Sequence, residues 1–409
     1  MSRNDRAARR VRHGSTTTGN KVLRVTAATI AGVFGFVLVM GTMYWENLQH
    51  SFTTVGIQGL VDDPTESATA VAAPTASVTG NPDPVDADAG NDINILLVGS
   101  DSRAGANGSI GGKVATGMRS DTTMIMHISA DRSRIDFLSI PRDMRVQVSD
   151  CKMLDGSVKK GWTGKFNIAF SLGGSHGNEA EAAACTMKTV QNLTGIKFHG
   201  HYAVVDFSGF EKMIDAVHGV PICVTDNIDD RRSKLHIKAG PHVLKGKTAL
   251  AYARVRHIGD GTDLQRIQRQ QQLMDNLAKK VLGMNVLTDA PQLTLLLKSA
   301  GESMTMDPDL GSFTYLVGLA YSLRNIDQDN INFLTVPWKY AGDGSGDVLA
   351  LDSAKWIYKR IKDDRPMVDK ESTSTSPSSE PSSEPTVGSS TSPTPERLTQ
   401  KEILAGCKA

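Results

Sequence analysis

Ile93-Asn94-Ile95-Leu96-Leu97-Val98-Gly99-Ser100-Asp101-Ser102-Arg103 is the stretch on which the fold reading turns. From Ile93 to Val98 only Asn94 is polar, so both faces can be covered, as in an internal strand with helices on each side of its sheet. Gly99 and Ser100 end the run, and the charged residues Asp101 and Arg103 follow at once. In α/β sheets ligands bind in the crevice at the carboxyl ends of strands, so this charged pair marks a candidate site.

The pattern recurs on either side. Strand candidates are Thr122 to Ile128, Ile135 to Ile140, Tyr202 to Phe207, Val220 to Val224 and Ile331 to Val336. Helix candidates are 178–194, 208–217, 262–282, 289–299, 311–323 and 353–362. Their alternation predicts an α/β domain over residues 92–365, with helices packed on both sides of a sheet. A glycine-rich stretch, Gly105 to Gly117, leads to Arg119-Ser120-Asp121 at the next strand; it reads as a lid or as a solvated insertion. Ser139-Ile140-Pro141-Arg142-Asp143 again sets a charged pair after an apolar strand. Asp101 and Asp121 are the natural metal pair, since Mg²⁺ takes one or two carboxylates and completes its shell with water and phosphate oxygens. An isolated aspartate at such a place more often caps a turn, but three charged strand ends are hard to ascribe to solvation alone.

A second block begins at Leu250-Ala251-Tyr252-Ala253-Arg254-Val255-Arg256, where the arginines alternate as on an extended strand and so point the same way. Two adjacent guanidiniums repel unless an anion lies between them, and the planar fork of arginine suits phosphate oxygens. The helix after Asp263 carries Arg266, Arg269 and Gln270, with an apolar stripe at Ile267, Met274, Leu277 and Val281. Gln270 falls inside that stripe, so it is satisfied by backbone or reaches a ligand. Arg266 and Arg269 are expected to divide, one toward the site and the other toward solvent or Asp263. Lys165 and Asn167 are further candidates, although Asn167 serves equally as a helix N-cap.

Residues 25–45 contain no charged side chain and make a helix of roughly 30 Å, enough for one membrane span. Basic residues dominate 1–24 and acidic ones follow the span, so the expected topology is a cytoplasmic head and an extracytoplasmic domain. A cleaved signal peptide fits less well, because the apolar run is too long and the nearest small-residue site too distant. Residues 46–91 read as a spacer and 366–409 as a disordered Ser/Pro/Thr-rich tail. With a formal net charge of +1 over 409 residues, the chain as a whole carries no nucleic-acid-binding signature. Four cysteines outside the cytoplasm favour pairing over catalysis; Cys151 with Cys185 is the expected pair, while Cys223 and Cys407 are left open.

Taken together, Gly99-Ser100-Asp101-Ser102-Arg103, Arg119-Ser120-Asp121-Thr122-Thr123-Met124, Ser139 to Asp143, Lys165-Phe166-Asn167-Ile168-Ala169, Val205-Asp206-Phe207 and Ala251 to Arg256 through Arg266 to Gln270 resemble the LytR-CpsA-Psr family. The resemblance implies a mixed central sheet flanked by helices, with an apolar pocket for a polyprenyl tail. It also implies transfer of a glycopolymer from a polyprenyl-pyrophosphate carrier to peptidoglycan, with Mg²⁺ or Mn²⁺ on Asp101 and Asp121. By the same resemblance Arg119, Arg142, Arg254, Arg256 and Gln270 hold the pyrophosphate, Arg103 lies close by, and Asp143, Asp206, Asp263 and Arg269 stand in second rank. The sequence departs from the family pattern in its longer Asp101–Arg119 loop and in His218-Gly219-Val220, where Gly-Gly-Val is common. A polyprenyl-pyrophosphate hydrolase and a non-catalytic protein that binds lipid-linked glycan or cell wall are the competing readings.

Overall fold

The computed structural model describes residues 53–61, 84–101, 118–255, 263–282, 284, 290–301 and 304–368. These all belong to one unit, Ser51–Ala409. The basic head, the apolar segment 25–45, most of the spacer, the loop holding Arg103, residue Arg256 and the tail from 369 lie outside the described residues.

In chain order the elements used below are β1 (Thr53–Thr54), β2 (Ile93–Ser100), β3 (Ser120–Ile128), β4 (Ile135–Ile140), β5 (Arg145–Gln147), β6 (Cys151–Lys152), β7 (Val158–Lys159), β8 (Thr163–Lys165), α1 (Ile168–Gly173), α2 (Glu179–Thr194), β9 (Tyr202–Val205), α3 (Phe207–Ala216), β10 (Val220–Val224), β11 (Ile228–Asp230), β12 (Leu235–Ile237), β13 (Gly240–Leu244), α4 (Gly246–Arg254), α5 (Asp263–Leu282), α6 (Ala290–Gly301), β14 (Met304–Met306), α7 (Phe313–Ser322), β15 (Ile331–Thr335), β16 (Trp338–Tyr340), β17 (Val348–Ala350) and α8 (Ser353–Lys362).

A mixed seven-stranded sheet runs β1-β14-β9-β2-β3-β4-β15. β2 is parallel to β9 and antiparallel to β3, which is antiparallel to β4. Because side chains alternate along a strand, Leu96, Val98, Ile125 and Leu138 enter one core with Ala169 and Phe170 of α1, the apolar side of α2 and Ile357 and Ile361 of α8. Ile93, Ile95, Ile128 and Phe137 enter a second core on the opposite face with Leu319 of α7 and Leu323. A third core joins α3, α4 and α5 to β10.

Local signals set the helix starts. Asn178 accepts from the amides of Ala180 and Glu181 and caps α2, which ends at Gly195 with φ 72°. Asp206 accepts from Gly209 N and caps α3, so the expected strand Tyr202 to Phe207 stops at Val205. The C-terminal end of α8 is tied down by a buried polar network: His127 Nδ1 meets Asn94 Oδ1 at 2.8 Å and its Nε2 meets Asp364 Oδ1 at 3.0 Å.

Three expectations change. Leu250 to Arg254 is not extended: Gly246–Arg254 is a helix, and Arg254 is its last residue. The Ala-rich segment favours helix, and Ala249 and Tyr252, three residues apart, are buried on one side of it. Val220 to Val224 is a strand, but it pairs with β13 outside the central sheet. The fold also begins upstream of the expected boundary at 92, because β1 pairs with β14 and Ile57, Leu60 and Val61 are buried in the first core. Cys151 and Cys185 are joined by a disulfide with Cα atoms 5.1 Å apart. Cys223 is disulfide-bonded too.

Two predictions follow from backbone and charge. His218 is held at φ 60° before Gly219 at 87°, a left-handed pair that favours glycine at both places. His218→Gly should therefore raise the free energy of unfolding by about 1 kcal/mol in urea titration. Burial pushes the His201 imidazole down, yet Asp307, 3.2 Å away, outweighs this and holds it above its ordinary value. A raised histidine pKa stabilises fully below the unfolded value of about 6.5, and that contribution is lost as pH rises through the folded value. Wild-type stability should fall on the alkaline side of about pH 6.5, and His201→Gln should remove that component of the slope.

Candidate active site

The antiparallel pairing of β2 with β3 brings the first two charged strand ends together. Their register shifts at Gly99/Ser100, so Ser100 faces Ser120. The amide of Arg119 then donates to Asp101 Oδ1 at 2.6 Å, while Asp101 N donates to Arg119 O at 2.9 Å. This backbone latch fixes Asp101 beside the start of β3. Pairing of β3 with β4 adds the third strand end: Arg142 Nη1 donates to Asp121 Oδ1 at 2.8 Å, and its Nε to Asp143 Oδ2 at 3.3 Å.

Asp143 is gripped from its other side by Lys165 Nζ at 2.9 Å. Burial drives the Asp143 carboxyl up, but the hydrogen bond from Lys165 and the charges of Arg142 and Lys165 more than offset this and hold it below the usual carboxylate range. The same contact with Asp143 raises the Lys165 ammonium above its ordinary value. Lys165 also lies 3.6 Å from Asp347, which is bound by Arg145 at 2.8 Å. Arg145 reaches on to Asp343 at 2.6 Å. An alternating row of charge thus crosses the strand ends, from Asp121 to the turn between β16 and β17.

Asp101, Arg119, Asp121, Arg142, Asp143 and Lys165 line one cavity of about 1040 Å³ with Arg254, Arg266, Gln270, Asp206 and Asn167. Six basic side chains and five carboxylates are among its walls. The rest is apolar. Leu97, Met124, Val205 and Met304 present one face of the sheet, and Leu273, Met274 and Leu277 of α5 lie opposite, with Phe207, Phe210 and Met213 of α3 at the side. The cavity therefore has a charged mouth at the strand ends and an apolar arm beneath α5. Polar residues of α5 fix that helix in place: Gln272 Nε2 donates to Cys223 O at 3.1 Å and Asn276 Nδ2 to Pro221 O at 2.8 Å.

The expected residues divide as follows. Gln270 does both things expected of it: Nε2 donates to Ala253 O at 3.2 Å, Oε1 accepts from Thr122 at 3.1 Å, and the amide lines the cavity. Arg266, buried at 2% exposure, lines the cavity, whereas Arg269 does not. The Arg269 Nη2 instead donates to Val255 O at 2.7 Å, and burial lowers its pKa. The apolar stripe gives the reason, since four residues before Gln270 is Arg266, while Arg269 is a third of a turn away. Arg254 stacks on the Phe207 ring at 4.9 Å. Asp206 lines the cavity but its carboxylate is used in capping α3. Asn167 sits at the N-cap position of α1 without a side-chain capping bond. Arg103 and Arg256 lie outside the described residues, and of Asp263 only the backbone, opening α5, is described.

Two further lining residues, Asp230 and Arg232, were missed. They come from the hairpin of β11 and β12, far in sequence from either charged block. Their signal was present in Asp229-Asp230-Arg231-Arg232, but nothing local ties that cluster to the strand ends.

The model of the LytR_cpsA_psr family matches residues 61–362. "Cell wall biosynthesis protein LcpA" of Corynebacterium glutamicum is 32% identical over 274 residues, 62% of this chain and 51% of that protein. "Regulatory protein MsrR" of Staphylococcus aureus is 32% identical over 252 residues, 60% of this chain and 65% of that protein. The chain thus matches between half and just under two thirds of the length of these relatives. Among solved structures, Bacillus subtilis TagV is similar at a TM-score of 0.52 and 25% identity, covering 67% of this chain and 97% of that one. Streptococcus agalactiae gbs0355 has the same fold at a TM-score of 0.53 and 21% identity, covering 67% and 87%. With its ordered strand-end motifs brought to one cavity and the family match spanning most of its length, the chain belongs to the LytR_cpsA_psr family.

Proposed function

We propose that this protein is a membrane-anchored phosphotransferase acting outside the cytoplasm. It moves a glycopolymer from a polyprenyl-pyrophosphate carrier to a peptidoglycan hydroxyl and leaves a phosphodiester link. The observation that carries this reading is the two-part cavity: a basic, carboxylate-bearing mouth continuous with an apolar arm suits a ligand with a pyrophosphate at one end and a hydrocarbon chain at the other. The name of the corynebacterial relative, a cell wall biosynthesis protein, supports the same direction. The anchor is supported by the uncharged segment 25–45 and its flanking charges. No helix among the described residues is long and apolar enough to cross a membrane.

In the reaction the acceptor hydroxyl oxygen attacks the phosphorus that bears the glycan. The bond from that phosphorus to the bridging oxygen breaks, polyprenyl phosphate leaves with the bridging oxygen, and the hydroxyl proton passes to that departing phosphate, directly or through water. Negative charge grows on the equatorial oxygens, and Arg119, Arg142 and Arg254 are the groups that answer it. Arg142 is held by two carboxylates, so its fork needs little reorganisation when charge develops. Asp143, kept ionised below the ordinary range, is a weak base; its role is to hold Arg142 and Lys165. Asp101 and Asp121 are hard oxygen donors on adjacent strand ends in the cavity and fit Mg²⁺ or Mn²⁺. Such an ion, when bound there, would supply positive charge to the phosphoryl oxygens.

The test uses the full-length chain in detergent with a polyprenyl-pyrophosphate-linked glycan, Mg²⁺ and peptidoglycan fragments. Glycan joined covalently to the fragments by a phosphodiester is expected. Arg142→Ala should slow its formation by about 100-fold or more, and Asp101→Ala should abolish the Mg²⁺ dependence along with the rate. Polyprenyl phosphate released without conjugate would indicate a hydrolase, and bound but unchanged lipid a binding protein; either would sink the transferase reading.

A further inference from the structure

Beyond the charged mouth, on the side away from the apolar arm, the cavity has a second wall. It is built by the chain running from β8 into α1, where Lys165, Asn167, Ile168 and Ser171 face the cavity. The apolar arm lies against the sheet face of Leu97 and Met124, whereas α1 packs on the opposite face with Leu96 and Val98. A ligand tail in the arm therefore leads away from α1.

Trp162 stands at the rim of this second wall with 49% of its surface exposed. A Cβ at Gly164 would fall 2.8 Å from Ile168 Cδ1 and 3.2 Å from Trp162 Nε1, so the glycine lets the indole settle over the strand next to a cavity-lining side chain. The backbone that carries Trp162 is braced. Trp162 O accepts from Val148 N at 3.1 Å, and the Cys151–Cys185 disulfide ties the base of the β6–β7 arm to α2. Five residues further along the same segment, the Asn167 carboxamide lines the cavity and makes no capping bond, and among the described residues its amide donors and carbonyl remain available.

A large aromatic ring half exposed to water is suited to a flat, weakly polar surface that covers it while hydroxyls at the edge stay hydrated. The C–H face of a pyranose ring has that character, and a carboxamide two donors and one acceptor wide can meet its hydroxyl or N-acetyl groups. We propose that Trp162, with Asn167, forms the subsite for the acceptor sugar of the wall glycan, opposite the apolar arm across the arginine and aspartate groups. This rests on the transferase reading and assigns the side from which the acceptor approaches. The surroundings of the ring favour sugar over lipid: Thr163 and Gln147 are joined at 2.6 Å and Lys160 and Asp150 at 2.7 Å along the same hairpin. The exposed Leu154 and Val158 stand farther out, where β6 turns into β7.

Calorimetric titration of the full-length chain in detergent with a soluble oligosaccharide of alternating N-acetylglucosamine and N-acetylmuramic acid tests this directly, with polyprenyl pyrophosphate as the donor-side probe. Trp162→Ala should weaken oligosaccharide binding about tenfold or more and Trp162→Phe less than about threefold, with polyprenyl pyrophosphate affinity unchanged in both. In the transfer assay the acceptor concentration for half-maximal rate should rise by the same factor and that of the donor should stay constant. Equal oligosaccharide affinity in wild type and both variants overturns the inference. A Trp162→Ala defect seen with donor in anionic vesicles but not in detergent also overturns it, because the ring would then be contacting lipid. If wild type fails to transfer yet binds oligosaccharide through Trp162, the transferase reading falls and the subsite stands.

Discussion

The alternating row from Asp121 through Arg142, Asp143, Lys165, Asp347 and Arg145 to Asp343 is the interaction on which the site depends. Each inner member touches two of opposite sign. Removing one leaves its half-buried neighbours with charge that solvent only partly compensates, so the row acts as a unit. Its outer end is in the turn Gly342 to Asp347, where glycines 342, 344 and 346 adopt positive φ and let both aspartates fold back onto Arg145. A surface turn far along the chain thereby determines where the Arg142 guanidinium sits.

The polarity of the cavity follows from the sheet. Charged residues occur where strands end, because there the backbone leaves the ladder and side chains meet water. Within the ladder, alternation puts Leu97, Met124 and Val205 on a face that helices must cover. α5 covers it while being held off by polar bonds to β10 and α4, and the space left beneath is the apolar arm. One architectural fact, strands whose ends are polar and whose bodies are not, thus sets a charged mouth next to an apolar arm.

Much of this was legible from periodicity. β2, β3 and β4 announce themselves by apolar runs bounded by Asp/Arg pairs, and α2, α5 and α8 by their apolar spacing, because burial on one face leaves a local imprint. The residues Tyr252-Ala253-Arg254-Val255-Arg256 alternate like a strand, and only packing of Ala249 and Tyr252 into the third core decides for helix. Arg266 and Arg269 separate by helical phase, which the Gln270 stripe already contained. What sequence does not encode locally is partnership at a distance: Arg145 with Asp343, or Asp230 and Arg232 with the strand ends, are joined by topology alone. The short strands β5 to β8 also lack a period long enough to read, although β8 carries Lys165 and follows directly on Trp162.

Under the proposed function one cavity receives both a pyrophosphate and its hydrocarbon tail. The most direct measurement is the affinity of a series of polyprenyl pyrophosphates of increasing chain length for the full-length protein and for Leu277→Lys and Arg142→Ala. Affinity should rise with each isoprene unit until the arm is filled, Leu277→Lys should abolish that length dependence, and Arg142→Ala should lose affinity roughly uniformly at every length. Affinity independent of tail length in the wild-type protein would contradict it.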